Sequence, residues 1–242
     1  PPQRATAGMP HARPPTIMKF ATGEATSANS LNAEHPSPAA GLLAQLTDED
    51  RPSIDAPLVL VAAHPDDETI GVGAQLRRLR RVALIHVTDG SPRNPADALR
   101  AGFQTAREYA DARRRELQAA LESGGAGSAA SLCLEFVDQQ TADHLPELIH
   151  SLRTVLARLQ PMAVITHAYE GGHPDHDATA FAVHMACRQL NSPAAVLEMT
   201  SYHADGRRMV SGEFLPWDRQ IWTAVLSPAE ICLKQRMLRH FT

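Results

Sequence analysis

From residue 58 onward, short apolar runs alternate with stretches whose apolar residues recur every three or four positions. Two side-chain periods that alternate in this way mark βαβ units, and so an α/β fold with a mostly parallel sheet. Buried strands are expected over 58–63, 82–87, 132–137 and 162–166, and later strands over 195–200 and 221–226. Helices are expected over 69–80, 98–123, 144–159 and 176–190, with 98–123 the longest and Gly124-Gly125 as its stop. Thr88-Asp89-Gly90-Ser91-Pro92 reads as a turn, and Asp205-Gly206 as a hairpin-like turn. A final helix is announced by Ser227 as cap, Pro228 in the first turn and Glu230 completing a capping box. No stop signal precedes Thr242, so the helix is expected to run to the last residue and the fold to be truncated at its C-terminus.

Residues 1 to about 50 follow neither period. Prolines at positions 1, 2, 10, 14, 15, 36 and 38 sit among Ala, Ser and Thr, which predicts an extended or partly disordered arm with one short helix around 41–46. Residues 51–242 then form one catalytic domain, a size that 242 residues support once the arm is discounted. The net charge is −4, with Lys and Arg at 23 against Asp and Glu at 27, so there is no electrostatic footprint for nucleic acid and a small-molecule partner is expected. Cys133, Cys187 and Cys232 are odd in number, widely spaced and set among apolar residues. They predict reduced core thiols and a cytoplasmic protein. No apolar stretch approaches the roughly 18 to 20 residues of a transmembrane helix, and the start lacks a signal-peptide layout.

Two short clusters carry the chemistry. Ala63-His64-Pro65-Asp66-Asp67-Glu68 follows the first strand, where an open α/β sheet places ligands. His64 and Asp67 offer an imidazole nitrogen and a carboxylate oxygen suited to zinc or a related divalent ion. The three consecutive acids project in different directions, so that one holds metal while another faces substrate. Taken singly, each acid also fits a simpler role, complementing the positive end of the following helix. The second cluster, His173-Pro174-Asp175-His176, follows the fourth strand and the loop Tyr169-Glu170-Gly171-Gly172. Its spacing can place one imidazole on a metal and the other near substrate, with the adjacent carboxylate fixing a tautomer. A capped, solvated loop is the plainer alternative.

Other candidates are weaker. His86 reads as a satisfied core residue, His144, His150, His184 and His240 as helix positions, and His167 and His203 carry little functional weight. Arg113-Arg114-Arg115 reads as a solvated, ion-paired face beside Glu108, Asp111 and Glu116. Phe214, Trp217 and Tyr202 offer faces on which a sugar could stack.

The two clusters, in this order and spacing, resemble the PIG-L/LmbE-like family of metal-dependent de-N-acetylases. Weaker support comes from Val87-Thr88-Asp89-Gly90, from Arg113 and Glu116, and from the segment between Lys234 and His240. The resemblance spans residue 58 to the C-terminus. It implies a Rossmann-like three-layer fold, with helices on both faces of a mostly parallel sheet and zinc at the strand ends, Fe2+ being an alternative metal. Carried over, it places metal ligands at His64, Asp67 and His176 and a general base at Asp66. It places a second active-site histidine at His173, charged and steadied by Asp175. The implied reaction is removal of an N-acetyl or N-acyl group from an N-acetylglucosamine-containing sugar or glycoconjugate by water activated at the metal. The chain departs from the pattern at Gly171, where some relatives carry a tyrosine that aids the carbonyl; Tyr169 is the nearest substitute. Arg93, after the Asp89-Gly90 turn, is a candidate contact for a polar substrate. Two other classes use similar residues: a metallophosphoesterase, which needs ligands for two ions, and a non-catalytic sugar-binding module with a structural metal.

Overall fold

The first described strand, β1 (Ile17–Thr22), lies inside the segment expected to be an arm. The computed structural model describes residues 17–22, 38–216 and 220–241. β1 is hydrogen-bonded on both sides, antiparallel to β6 (Ala195–Met199) and to β9 (Ile221–Val225). Met18, Phe20 and Ala21 are buried there, and helix α1 (Pro38–Thr47) adds Leu42, Leu43 and Leu46 to the same core. The extended-arm expectation is therefore corrected for β1, while α1 is the short helix expected around 41–46, docked on the core rather than part of a free arm. Their apolar side chains are removed from water, which outweighs the local proline-rich composition.

The rest of the sheet is parallel. β2 (Ile54–Ala62) pairs with β3 (Leu79–Pro92) on one side and β5 (Ala163–His167) on the other, β3 pairs with β4 (Ala130–Asp138), and β5 with β6. The seven-stranded order is β4-β3-β2-β5-β6-β1-β9. Successive residues of β2 feed opposite faces: Leu58, Leu60 and Ala62 join one core, Val59 and Val61 the other. The first core also takes Val72 and Leu76 of α2 (Asp67–Leu76), Leu117 and Leu121 of α4 (Ala106–Ser123), and Leu233 and Met237 of α7 (Pro228–Leu238). The second takes Leu148, Leu152 and Leu156 of α5 (Leu145–Leu159) and Val183 and Ala186 of α6 (Pro174–Gln189). Period-2 strands between two layers of helix give the expected three-layer α/β fold. None of the helices among the described residues is long and apolar enough to cross a membrane.

Several boundaries differ from expectation. The helix expected over 98–123 is two, α3 (Pro95–Arg100) and α4, separated at Gly102, whose φ of 86 a glycine adopts without strain. Thr105 and Glu108 form a capping box that starts α4 afresh. The expected turn at 88–92 is a continuation of β3, which meets β4 through register shifts on either side of Thr88. A hairpin, β7 (Tyr202–Asp205) and β8 (Arg208–Ser211), forms around Asp205-Gly206 as expected. The final helix has the predicted capping box but ends at Leu238. Cys187 is buried, Cys133 is half-buried and Cys232 is exposed, which corrects the core assignment for Cys232.

Helix α7 brings one charged group into the first core. Lys234 is 1% exposed, its Nζ donates to Ile70 O at 2.6 Å, and burial pushes its amine down to about 8. The folded value lies below the unfolded one, so the unfolded chain binds the proton more readily and the destabilisation is greatest below about pH 8. Stability should rise by about 2 to 3 kcal/mol through this group between about pH 8 and 10.5. Urea unfolding of native and Lys234→Met proteins at both pH values checks this; the substitution should remove most of the rise.

Candidate active site

Between β2 and β5 the chain order reverses direction across the sheet, and the carboxyl ends of these strands define the crevice where an open α/β sheet binds ligands. β2 delivers Ala63 and His64 there. The turn is pinned: Thr88 donates its N–H and its Oγ1 to Ala63 O at 2.9 and 3.0 Å, and Ala63 N–H donates to His167 Nε2 at 3.0 Å.

Asp67 is the hub. Its carboxylate lies 3.2 Å from His64 Nδ1 and 3.2 Å from His176 Nε2, and it accepts from His64 N–H at 2.8 Å. Burial opposes its charge, but the His176 and His167 imidazoles outweigh that and hold it well below the usual carboxylate range. On the far side, His64 Nε2 is 3.1 Å from both Asp138 Oδ1 and Asp175 Oδ2. Burial would lower His64; Asp138, Asp175 and Asp67 together hold it well above its usual value.

The donor set fits a divalent ion. Two ligand atoms at about 2.0 to 2.1 Å from a tetrahedral zinc are separated by roughly 3.3 Å, close to the His64–Asp67 and Asp67–His176 spacings. Carboxylates on the outer nitrogen of a ligating imidazole are the usual means of fixing its tautomer, and His64 has two. Ligand atoms also converge in three groups: His64, His173 and His176; His64, Asp138, His173 and Asp175; and Asp67, His167 and His176. His167 is fully buried, its Nε2 accepts from Ala63, and its Nδ1 lies 3.1 Å from Ser201 Oγ. Burial, then the His176 charge, holds it down at about 4, so it is a neutral wall stacked 4.1 Å from His176.

Asp66 precedes α2 as its N-cap residue, but its side chain makes no capping hydrogen bond. Its side chain is turned to Arg113 instead of to the helix end. Its Oδ2 accepts from Arg113 Nη2 at 3.0 Å, and burial, tempered by Arg113, pushes the carboxyl up to about 6. Arg113 is only 12% exposed and also reaches Glu116, which corrects its assignment to a solvated face; the Arg114–Asp111 pair beside it is exposed as expected. The φ of Asp66 is 137, a region that residues with a Cβ rarely adopt. Asp66→Gly should therefore be more stable than Asp66→Ala by about 1 kcal/mol or more, as a comparison of thermal unfolding of the two variants would show.

The second cluster is arranged differently from expectation. His173 caps α6 by accepting from Asp175 N–H at Nδ1, 3.2 Å away. Its ring is 4.8 Å from that of His64 and 5.1 Å from that of His176. Burial, then the His64 and His176 charges, lowers it, so His173 is a neutral imidazole with its proton on Nε2. The expectation of a charged His173 steadied by the Asp175 carboxylate is corrected. That carboxylate turns to His64 and to Gln139 N–H at 2.6 Å and Thr141, because the first turn of α6 splays residues 173 and 175 apart.

The loop before α6 is held by Asp177, whose Oδ1 accepts from Glu170 N–H and Gly171 N–H at 3.0 Å each. Gly171 has a φ of 70, and a Cβ at Gly172 would lie 1.8 Å from Tyr202 O. Tyr169 is 58% exposed and Arg93 is exposed, and neither contacts the cluster. Tyr202 does: its ring stands 5.4 Å from His176, and burial, then Asp67, pushes its phenol up to about 12. Trp217 lies outside the described residues. Sequence reasoning missed Asp138, although an acid at the end of the third strand was a legible signal. It also gave His167 too little weight.

The family model described as PIG-L, GlcNAc-PI de-N-acetylase, matches residues 59–187. No curated protein matches the chain. Among solved structures, the zinc-inhibited form of teicoplanin deacetylase Orf2 aligns with a TM-score of 0.59 at 19% identity, covering 76% of this chain and 83% of its own. The A40926 pseudoaglycone deacetylase Dbv21 aligns with 0.58 at 22%, covering 78% and 82%. The N,N'-diacetylchitobiose deacetylase of Pyrococcus horikoshii aligns with 0.50 at 20%, covering 87% and 80%. At these identities the likeness establishes a shared fold.

Proposed function

Because the chain belongs to the PIG-L family of GlcNAc-PI de-N-acetylases, we propose that it is a metal-dependent hydrolase removing an N-acetyl group from an N-acetylglucosamine-containing sugar or glycoconjugate. The observation that carries this reading is Asp66, a half-buried carboxylate at a helix start whose side chain caps nothing, held by Arg113 within electrostatic reach of His64 and Asp67. Those three residues would hold the ion, zinc or Fe2+. When bound there, such an ion lowers the pKa of water toward neutrality and polarises the amide carbonyl.

Asp66 takes the proton from the attacking water, with Arg113 orienting the carboxylate. His173 presents its Nε2 proton to the carbonyl oxygen as charge develops, or to the leaving nitrogen as the C–N bond breaks. Acetate and a free amine result. Asp138 and Asp175 orient His64. Asp175 already accepts from Gln139 and Thr141, which supports its acting through His64 rather than as the ligand of a second ion. Tyr202 is better placed than Tyr169 or Arg93 to meet substrate.

The test is acetate release from a panel including N,N'-diacetylchitobiose and GlcNAc-phosphatidylinositol, before and after chelation. Release that stops on chelation and returns with metal is expected. No release across the panel by protein shown to carry metal would overturn the reading.

A further inference from the structure

One buried acid beside the site has no part in the steps above. Glu68 is 0% exposed, yet its carboxylate is fully engaged. Its Oε2 accepts from Asp66 N–H at 3.0 Å and lies 3.0 Å from His86 Nε2, and its Oε1 accepts from the Thr69 hydroxyl. His86, in the middle of β3, is 2% exposed. A carboxylate with three donors is a satisfied anchor, unavailable as a second base.

What it anchors is one peptide group. The N–H of Asp66 goes to Glu68, and the carbonyl oxygen of the same peptide, Pro65 O, accepts from Arg113 Nη2. The plane of the 65–66 peptide is thus gripped at both ends, in the orientation that leaves Asp66 at φ 137. Turning that peptide over by about 180° would bring φ to roughly −40°, at the edge of the allowed helical region. The flip would leave the Cα and Cβ of Asp66 nearly in place but would carry Pro65 O away from Arg113 Nη2, the group that also holds the Asp66 carboxylate, so the carboxylate would lose its fixed aim. A conformation of this kind persists only where its surroundings over-determine it.

We propose that Glu68, held by His86, is a positioning residue that keeps the 65–66 peptide in its strained orientation and so aims the Asp66 carboxylate at the reacting centre. The proposal rests on the reading of Asp66 as the base. Its structural part does not, and so the two can fail separately.

The experiment compares Glu68→Leu, Glu68→Gln and His86→Phe with the native protein and with Asp66→Asn. Crystal structures give φ at residue 66, kinetics of acetate release from N,N'-diacetylchitobiose give kcat and KM, and elemental analysis gives metal per chain. Glu68→Leu should turn the peptide over and lower kcat about 30-fold or more, with KM and metal content nearly unchanged, as expected of a misplaced catalytic group. Glu68→Gln, which keeps an acceptor oxygen for Asp66 N–H, should retain the positive φ and restore most of kcat. His86→Phe keeps the ring volume but frees Glu68 on one side, and should lower kcat about 3- to 10-fold. It decides the matter should Glu68→Leu not fold. A positive φ retained in Glu68→Leu, or native kcat in folded His86→Phe, overturns the proposal. Should Asp66→Asn keep native kcat, it is the base assignment that fails, and φ at residue 66 still decides what Glu68 does.

Discussion

Asp66→Asn is expected to lower kcat for acetate release by about 10²- to 10⁴-fold, while KM and metal content stay near native values. The substitution preserves shape, and the amide oxygen can still accept from Arg113 Nη2. What is lost is the capacity to take a proton. Asp66 makes no bond that holds α2 in place through its side chain, so the folded structure has little reason to change. Steady-state kinetics together with metal analysis separate this outcome from misfolding. Full activity in a metal-loaded Asp66→Asn protein would contradict the assignment.

The second large effect is at Asp67. Among the described residues, its carboxylate is the one group seen within 3.4 Å of His64, His167 and His176 together. Asp67→Asn should weaken metal binding by about 100-fold or more, since outer partners of a ligand alone are worth 10- to 100-fold, and should reduce turnover in step. Competition with a chromophoric chelator measures the affinity. Asp175→Asn, acting through His64, should fall within the smaller range. Equal losses for the two variants would mean that Asp67 is no more than an outer partner.

Much of the fold could be read because each segment carried its own period. The strands around Val59, Ile85 and Ile165 and the cap at Ser227 were local signals, and so was the break before α4. Gly102 followed by Thr105 and Glu108 announces a stop and a restart, but continuous helical spacing on either side hides it. β1 could not be read. Six residues among prolines become a strand only because β6 and β9, some 180 to 200 residues later, supply both sets of hydrogen-bond partners.

The site divides in the same way. His64, Asp67 and His176 lie in compact motifs, and the structure brings them together around one carboxylate. Asp138 reaches His64 from the carboxyl end of β4, two strands away, so the acid at a strand end was legible but nothing in the spacing tied it to His64. Arg113 was misread because acids three residues away on a helix look like surface partners, whereas α4 turns this one arginine inward to Pro65 and Asp66. Asp175 was paired with His173 through adjacency in sequence. In the first turn of a helix, residues two apart face different ways, and its carboxylate meets His64 instead.

The most direct test of the central claim is acetate release from N,N'-diacetylchitobiose by metal-free protein titrated with Zn2+ or Fe2+. Activity should rise from background and saturate at about one ion per chain, as expected for a single catalytic site with three protein ligands. Turnover that is undiminished after complete chelation, or that requires two ions per chain, would contradict it.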